Sequence, residues 1–191
     1  MKNNNTILFL CVTLLVVSFS CVAPQRKSEK YYYENESKIK SVVKKYDSLY
    51  DIKPFSIGFT DKSFEYITVE VETDTIRYAF NNETGEEYLY KTITHFDYDT
   101  SLMISLLKEM RSIECLWLGK SYFYFNDRKE DVTFLSFKSI SINKPFQENK
   151  YYMLAFFDEN FVKRQTKKRF QKYNLQPIKD NVFYTISDQF R

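Results

Sequence analysis

The chain carries few side chains that do chemistry, and the thiol–imidazole pair it offers is Cys115 with its one histidine, His95. A nucleophilic thiol needs an adjacent imidazole and a lowered pKa. Cys115 lies at the end of an apolar segment, which predicts a buried and inert cysteine. We interpret His95 as a structural residue as well. The sequence therefore predicts no catalytic residues.

Acidic side chains alternate at Glu70, Glu72 and Asp74 and again at Asp97 and Asp99. Alternating carboxylates project from one face of a strand and attract Ca²⁺, which needs six to eight oxygen ligands. No neighbouring loop supplies the remaining oxygens, and capping of a following helix explains at least one of the second pair. The sequence therefore predicts no metal site. With three glycines it also lacks the residues for a Rossmann or P-loop cofactor site, so we expect no cofactor.

Six cations fall within ten residues near the C-terminal end of the chain. They are Lys163, Arg164, Lys167, Lys168, Arg169 and Lys172. One interpretation is a surface for anionic head groups or an acidic protein partner. The other is the solvated face of an amphipathic helix, with cations that complement its C-terminal dipole. The net charge of +3 is too small to indicate nucleic acid binding.

The chain begins with Lys2 and polar residues, followed by an apolar run from Ile7 to Val17. This pattern is typical of a secretory signal, predicted here over residues 1–20. The run is shorter than the roughly 20 residues that span a bilayer. Extended to Ala23 it reaches the lower edge of the spanning range, so an uncleaved membrane anchor is the alternative.

The segment Ser18-Phe19-Ser20-Cys21 resembles the lipobox of bacterial lipoproteins. The resemblance implies that the peptide is cut before Cys21 and that its thiol carries the lipid. An ordinary secretory signal cut at the same bond is the alternative. Val22 stands where Asp retains some lipoproteins on the inner membrane, which favours the outer membrane. Of the three cysteines, Cys115 alone would then remain as a free thiol, so no internal disulfide is expected.

The mature chain is predicted to form a tether over residues 21–33 and one globular domain over 34–191. An amphipathic helix is predicted over Glu34–Asp51, where apolar side chains recur at three and four residues. A second helix follows Asp99, and a third begins near Asp158. Apparent strands alternate with them, at Phe55–Phe59, Ile67–Glu72, Ile76–Phe80, Glu87–Ile93, Tyr122–Asn126, Val132–Lys138, Tyr151–Phe157 and Val182–Ile186.

The predicted order is one helix, four strands, a helix, three strands, a helix and a strand, which indicates an α+β fold with mainly antiparallel pairing. We expect a non-enzymatic, lipid-anchored interaction module of the bacterial envelope. It would act as an immunity or inhibitor-like protein or as an accessory subunit, with the membrane and an unidentified protein as partners. A carrier of glycans or lipids is the main alternative, and a hydrolase is a weaker one.

Overall fold

A computed structural model gives the backbone of residues 3–60, 63–73, 77–81, 86–140 and 150–187. It describes side chains from Pro24 onward within these ranges, except over 77–81, 86–88, residue 140 and Lys167. The chain forms α+β architecture, as the sequence predicts. Its helices and strands, in chain order, are α1 (Asn3–Tyr50), β1 (Phe55–Phe59), β2 (Ile67–Glu72), β3 (Arg77–Asn81), α2 (Glu86–His95), α3 (Thr100–Ser112), β4 (Trp117–Phe125), β5 (Arg128–Ile140), β6 (Lys150–Phe156), α4 (Glu159–Lys163), α5 (Lys167–Gln171), β7 (Gln176–Lys179) and β8 (Val182–Ser187).

The described strands form one antiparallel sheet in the order β3-β2-β1-β4-β5-β6-β8-β7. Most neighbours in the sheet are also neighbours in sequence, joined by hairpins. The long β4–β5 hairpin turns at Asn126-Asp127, where both residues adopt positive φ angles of 49° and 63°. Two such residues between paired strands form a type I′ turn, which matches the twist of the flanking strands.

Helices α1 and α3 cover one face of the sheet and enclose the larger hydrophobic core. Leu118, Leu135 and Leu154 project from three adjacent central strands into this core, and each is 0% exposed. Helix α3 packs along α1, and Lys45 donates to Glu109 across the pair at 2.6 Å. Asp99, which with Thr100 is one of the two residues that the sequence offers as a cap, caps α3 by accepting from the backbone N–H of Leu102.

A smaller core lies at one end of the opposite face. Its centre is built almost wholly of phenylalanine, with Phe170 stacked on Phe183 at a ring separation of 4.2 Å. We call this set the aromatic cluster. Its buried members are Phe125, Val132, Ala155, Phe157, Phe161, Phe170, Leu175 and Phe183. The short helices α4 and α5 supply Phe161 and Phe170 and so cover this end of the sheet.

Several boundaries predicted from the sequence are wrong. The segment predicted as a fourth strand, Glu87–Ile93, is helix α2, because Thr92, Ile93 and Phe96 share one buried side at helical spacing. The third predicted helix is two short ones, α4 and α5. Strand β7 was not predicted, since it is only four residues long and contains Pro177.

The irregular tether expected over residues 21–33 is also corrected. Helix α1 runs through this segment, and Ser28 and Tyr32 are buried against the rest of the domain. Tyr31 stacks on Phe137 at a ring separation of 3.9 Å and donates to the carbonyl oxygen of Ile113. The folded domain therefore begins before Glu34. These contacts do not test whether Cys21 carries a lipid, so lipid attachment at Cys21 stays a prediction.

The alternation of apolar residues in the two segments predicts that β2 and β3 pair with Val69 opposite Tyr78 and Glu70 opposite Arg77. The structure pairs them two residues away from this register. Val69 lies opposite Phe80, and Val71 lies opposite Tyr78. A shift of two residues keeps the alternation of the two strands in step, so their apolar positions still lie opposite each other. It nevertheless replaces the expected Glu70–Arg77 pair by Glu72 opposite Arg77. Glu70 is buried rather than exposed, at 5%.

Candidate binding cleft on the open face of the sheet

The part of the sheet that α4 and α5 leave uncovered forms a cleft of about 520 Å³. Strands β1, β2, β4, β5, β6 and β8 all contribute to it, and Tyr173 and Asn174 close the end beside the aromatic cluster. The residues that line the cleft include Phe55, Ser56, Glu70, Glu72, Trp117, Gly119, Lys120, Ser121, Tyr122, Phe123, Met153, Tyr173 and Thr185.

The only tryptophan of the chain lies on the floor of this cleft. Trp117 is opposite Gly58 on β1 and two residues before Gly119 on its own strand. A Cβ atom added at Gly58 would overlap Cε3 of Trp117 and the carbonyl oxygen of Leu116. At Gly119 an added Cβ would lie 3.3 Å from Nε1 of Trp117. Two of the three glycines therefore make room for the indole to lie on the sheet.

Beside the floor, strands β1 and β4 separate and the hydroxyl of Tyr46 lies between them. It donates to the carbonyl oxygen of Phe55 at 2.6 Å, and the backbone of Lys120 on β4 lies close enough to the same hydroxyl to act on its pKa. Burial raises the pKa of Tyr46 well above its ordinary value. The hydroxyl therefore stays protonated. It lies between Phe55 and Lys120, where the next pair of backbone hydrogen bonds between β1 and β4 would otherwise form.

The two long sides of the cleft differ in chemistry. Strand β2 contributes the carboxylates of Glu70 and Glu72, of which Glu72 is exposed and Glu70 is buried. The opposite side is aromatic, because Phe123 packs on the Tyr173 ring at 5.0 Å between centroids. The Tyr173 hydroxyl donates to the carbonyl oxygen of Tyr124. A ligand in the cleft would meet acidic groups on one side and aromatic rings on the other.

Of the predicted thiol–imidazole candidates, the structure buries the thiol and exposes the imidazole. Cys115 is 0% exposed and its thiol donates to the carbonyl oxygen of Trp117 at 3.6 Å. Burial raises the pKa of Cys115 well above its ordinary value, so the thiolate form is suppressed. His95 is exposed and packs edge-on against Phe96. The prediction that Cys115 is buried is confirmed.

The basic residues of α4 and α5 lie on the outer surface of the aromatic cluster. Lys163, Arg164, Lys168, Arg169 and Lys172 are exposed, and the side chain of Lys167 lies outside the described residues. Part of this charge is already engaged: Lys163 lies 3.7 Å from Glu159, and Arg169 donates to Gln165 at 2.6 Å. Their role as an interaction surface stays a prediction.

The acidic residues singled out by sequence are dispersed. Asp99 is the helix cap described above, Asp97 is exposed with a positive φ of 59°, and Asp74 lies outside the described residues. Within the described ranges, no three His, Cys, Asp or Glu side chains converge as metal ligands would. Among the residues whose burial is described, which begin at Pro24, no helix is long and apolar enough to cross a membrane.

Sequence reasoning missed the cleft. The signal for it was the neighbourhood of Trp117, where small residues at 119 and 121 interrupt a run of large ones. No protein-family model matches the chain, and comparison with curated proteins and with solved structures finds no match either. The candidate function therefore rests on the residues and geometry of this chain.

Proposed function

We propose that the protein is an exported bacterial lipoprotein that acts as a non-enzymatic interaction module of the cell envelope. The observation that carries the proposal is the cleft, which presents aromatic and acidic side chains together on the open face of the sheet. The buried thiol and the exposed, separate imidazole give no support to a hydrolase. An immunity or inhibitor-like role, or that of an accessory subunit, requires such a surface and no reactive group.

The anchor of this module would be Cys21, and α1 would connect it to the domain. Helix α1 rises about 1.5 Å per residue, so Cys21 lies roughly 15 Å along the helix from Tyr31. Tyr31 is fixed to the domain by its stack on Phe137. Arg26, Lys27 and Lys30 are exposed on the same turns, where they would meet the surface of an anionic bilayer. We place the protein at the outer membrane, because residue 22 is Val rather than Asp.

The anchor is tested by Cys21→Ser in the full chain. We expect this variant to lose metabolic labelling with a fatty acid and to leave the membrane fraction. A variant that stays in the membrane with residues 1–20 still attached, as measured by mass spectrometry, would show an uncleaved anchor instead. A variant that is released with residues 1–20 removed, while the parent protein carries no lipid, would show an ordinary secretory signal.

The interaction is tested by cross-linking in the native envelope with a bulky substitution in the cleft. Ser121 is exposed and lines the cleft, so Ser121→Trp should fill part of it without disturbing the core. Ser37 is exposed on α1, and Ser37→Trp is the matched control. We expect one protein to be cross-linked by the parent chain and by Ser37→Trp and to be lost with Ser121→Trp. Equal capture by all three would count against the cleft as the interaction surface.

A carrier of glycans or lipids is the second candidate, and the aromatic side of the cleft favours it. Sugars stack on exposed rings and acyl chains pack against them, and a volume of about 520 Å³ falls within the range of small-molecule sites. Native mass spectrometry of the protein purified from its own envelope separates the two. A bound glycan or lipid that is displaced in Ser121→Trp would establish the carrier and remove the interaction module.

A further inference from the structure

Strand β4 is longer than its neighbour β1, and this leaves part of its edge without a strand partner. Strand β1 pairs with β4 only at Gly58–Trp117 and Ile57–Leu118. On the other side of β4, pairing with β5 continues without a break as far as Phe125. Beyond Leu118, no described strand lies along the edge of β4 that faces the cleft.

The hairpin turn fixes which backbone groups face this edge. In a two-residue type I′ hairpin the flanking residues exchange hydrogen bonds, so Phe125 bonds across to Arg128. The odd-numbered residues of β4, counted back from Phe125, then exchange hydrogen bonds with β5. The even-numbered residues direct their backbone N–H and C=O groups away from β5, toward the edge that β1 leaves open. Two observations agree with this assignment. The backbone of Lys120 meets the Tyr46 hydroxyl, and the carbonyl oxygen of Tyr124 accepts from Tyr173.

Tyr122 lies between those two capped residues. Among the turn, loop and side-chain hydrogen bonds of the described residues, none involves the backbone N–H or C=O group of Tyr122, and its register position opposite Asp131 directs both groups away from β5. Natural edge strands are usually protected by proline, charge or a covering element. Here the ammonium group of Lys120 is held by Asp47 at 2.9 Å, and the next two residues on this edge are aromatic: Tyr122 is 49% exposed and Tyr124 is 57% exposed.

The cleft extends around this edge. Its lining includes five consecutive residues of β4, from Gly119 to Phe123. Consecutive residues of a strand point to opposite faces, so a cavity that touches all five must reach the edge of the strand as well as its face. The small residues Gly119 and Ser121 face the open side and leave space there for an incoming side chain.

We propose that the edge of β4 at Tyr122, between the capped residues Lys120 and Tyr124, receives an extended peptide segment of the partner as a short added strand. The segment would lie where β1 ends at Phe55, and its backbone would pair with Tyr122. An apolar side chain of the segment would enter the cleft above Gly119 and Ser121, beside the ring of Phe123. This inference rests on the proposed function and names the chemistry of its partner: extended peptide recognised through the backbone.

The sharpest test removes the N–H group of Tyr122 alone. Proline is tolerated where a strand N–H points away from the sheet, so Tyr122→Pro should keep the β4–β5 pairing. Tyr122→Thr removes the ring but keeps the N–H group and is the matched control. Probe peptides are selected from a random library of twelve-residue sequences against the full chain, and their affinities are measured by fluorescence anisotropy. Circular dichroism and urea unfolding verify that both variants fold.

We expect the selected peptides to bind Tyr122→Thr within about threefold of the parent chain and Tyr122→Pro at least tenfold more weakly. Bound peptide should also slow hydrogen exchange of the Tyr122 amide in the parent chain by at least tenfold, a readout that does not depend on the proline variant. Peptides that bind all three chains equally, an unprotected Tyr122 amide, or a library that yields no binding peptide would each overturn the proposal.

The same variants separate this inference from the proposed function. An envelope partner that requires the cleft but is captured equally by Tyr122→Pro and Tyr122→Thr would leave the interaction module standing and overturn strand addition. Loss of capture in Tyr122→Pro alone would support both. A bound glycan or lipid in place of a protein would overturn both.

Discussion

The two faces of the sheet are built from the same strands, yet α1 and α3 pack across the centre of one face while the centre of the other is open. Leu154 and Met153 are neighbours on β6: Leu154 enters the core beneath α1 at 0% exposure, while Met153 lines the cleft. Alternation along the strands therefore supplies apolar side chains to both faces. What differs is the cover, because a long helix crosses one face and two five-residue helices cover only an end of the other.

The largest contrast should appear when the two neighbours on β6 are truncated. Leu154→Ala leaves a closed void and should lower the free energy of unfolding by about 3–4 kcal/mol. Met153 is only 8% exposed, but it borders the cleft, so solvent can enter the space that Met153→Ala leaves and we expect a smaller loss of about 2 kcal/mol. Urea denaturation measures both. Equal losses would mean that the open face is as tightly packed as the covered one.

The floor of the cleft should be intolerant of added volume. Gly58→Ala places a methyl group against the indole of Trp117 and the carbonyl oxygen of Leu116, and we expect a loss of about 2–3 kcal/mol. At Gly119 the nearest indole atom is 3.3 Å away, so Gly119→Ala should cost less. Thermal unfolding of the two variants gives the order, and the reverse order would contradict this position of the indole.

Cys115 tests how well the covered side excludes reagents. Because the thiol is 0% exposed and burial raises its pKa, a thiol reagent should modify it only when the domain opens. We expect labelling of the folded protein to be slower than labelling in urea by at least a hundredfold. Cys115→Ala should lose roughly 1 kcal/mol, through packing alone. Rapid labelling of the native protein would contradict this burial.

An ionic contact joins the covering helix to the far edge of the sheet and should respond to pH. The ammonium groups of Lys179 and Lys40 each lie 2.8 Å from the Glu36 carboxylate and lower its pKa to about 2. A lowered folded-state pKa stabilises the protein above the ordinary value of 4.5, and that stabilisation is lost as pH falls toward 2. Glu36→Gln should therefore be less stable than the parent at pH 7 and nearly equal at pH 2. A difference that persists at pH 2 would assign the effect to packing.

The smallest effect on folding is expected at the outer surface of the aromatic cluster. Changing Lys167, Lys168 and Arg169 to Gln should alter the free energy of unfolding by less than about 1 kcal/mol. If these cations contact a membrane or an acidic partner, the triple variant should bind anionic vesicles or the identified partner more weakly at low salt. Unchanged binding at low salt would leave them as a solvated helix face, and unfolding of the variant would make them structural.

Local pattern predicted most of the elements but not how the sheet is covered. Periodicities of two and of three to four residues place β1, β2, β6 and α3 correctly. The α2 segment misled because Tyr88 and Tyr90 alternate like a strand, while its buried side is defined by contacts with distant residues that the sequence does not display. The cap at Asp99 was predictable, since a capping carboxylate acts within three residues.

The cleft could not be predicted because it depends on relations between distant segments. It exists where β1 ends beside a longer β4, where Tyr46 of α1 enters the gap, and where α4 and α5 are too short to cover the remaining face. Each of these features depends on how segments far apart in the sequence lie relative to one another, and none is a local motif. By contrast, the burial of Cys115 followed from the apolar residues around it.

The single tryptophan gives this domain an optical property. Trp117 is 4% exposed and lies on the cleft floor, so the emission of the native protein should be that of an indole shielded from water. A peptide, glycan or lipid that enters the cleft would change the environment of this chromophore without any attached dye. Excited at wavelengths that indole absorbs and tyrosine does not, the fluorescence of the whole protein therefore reports from one site, and occupancy of the cleft can be followed as a spectrum.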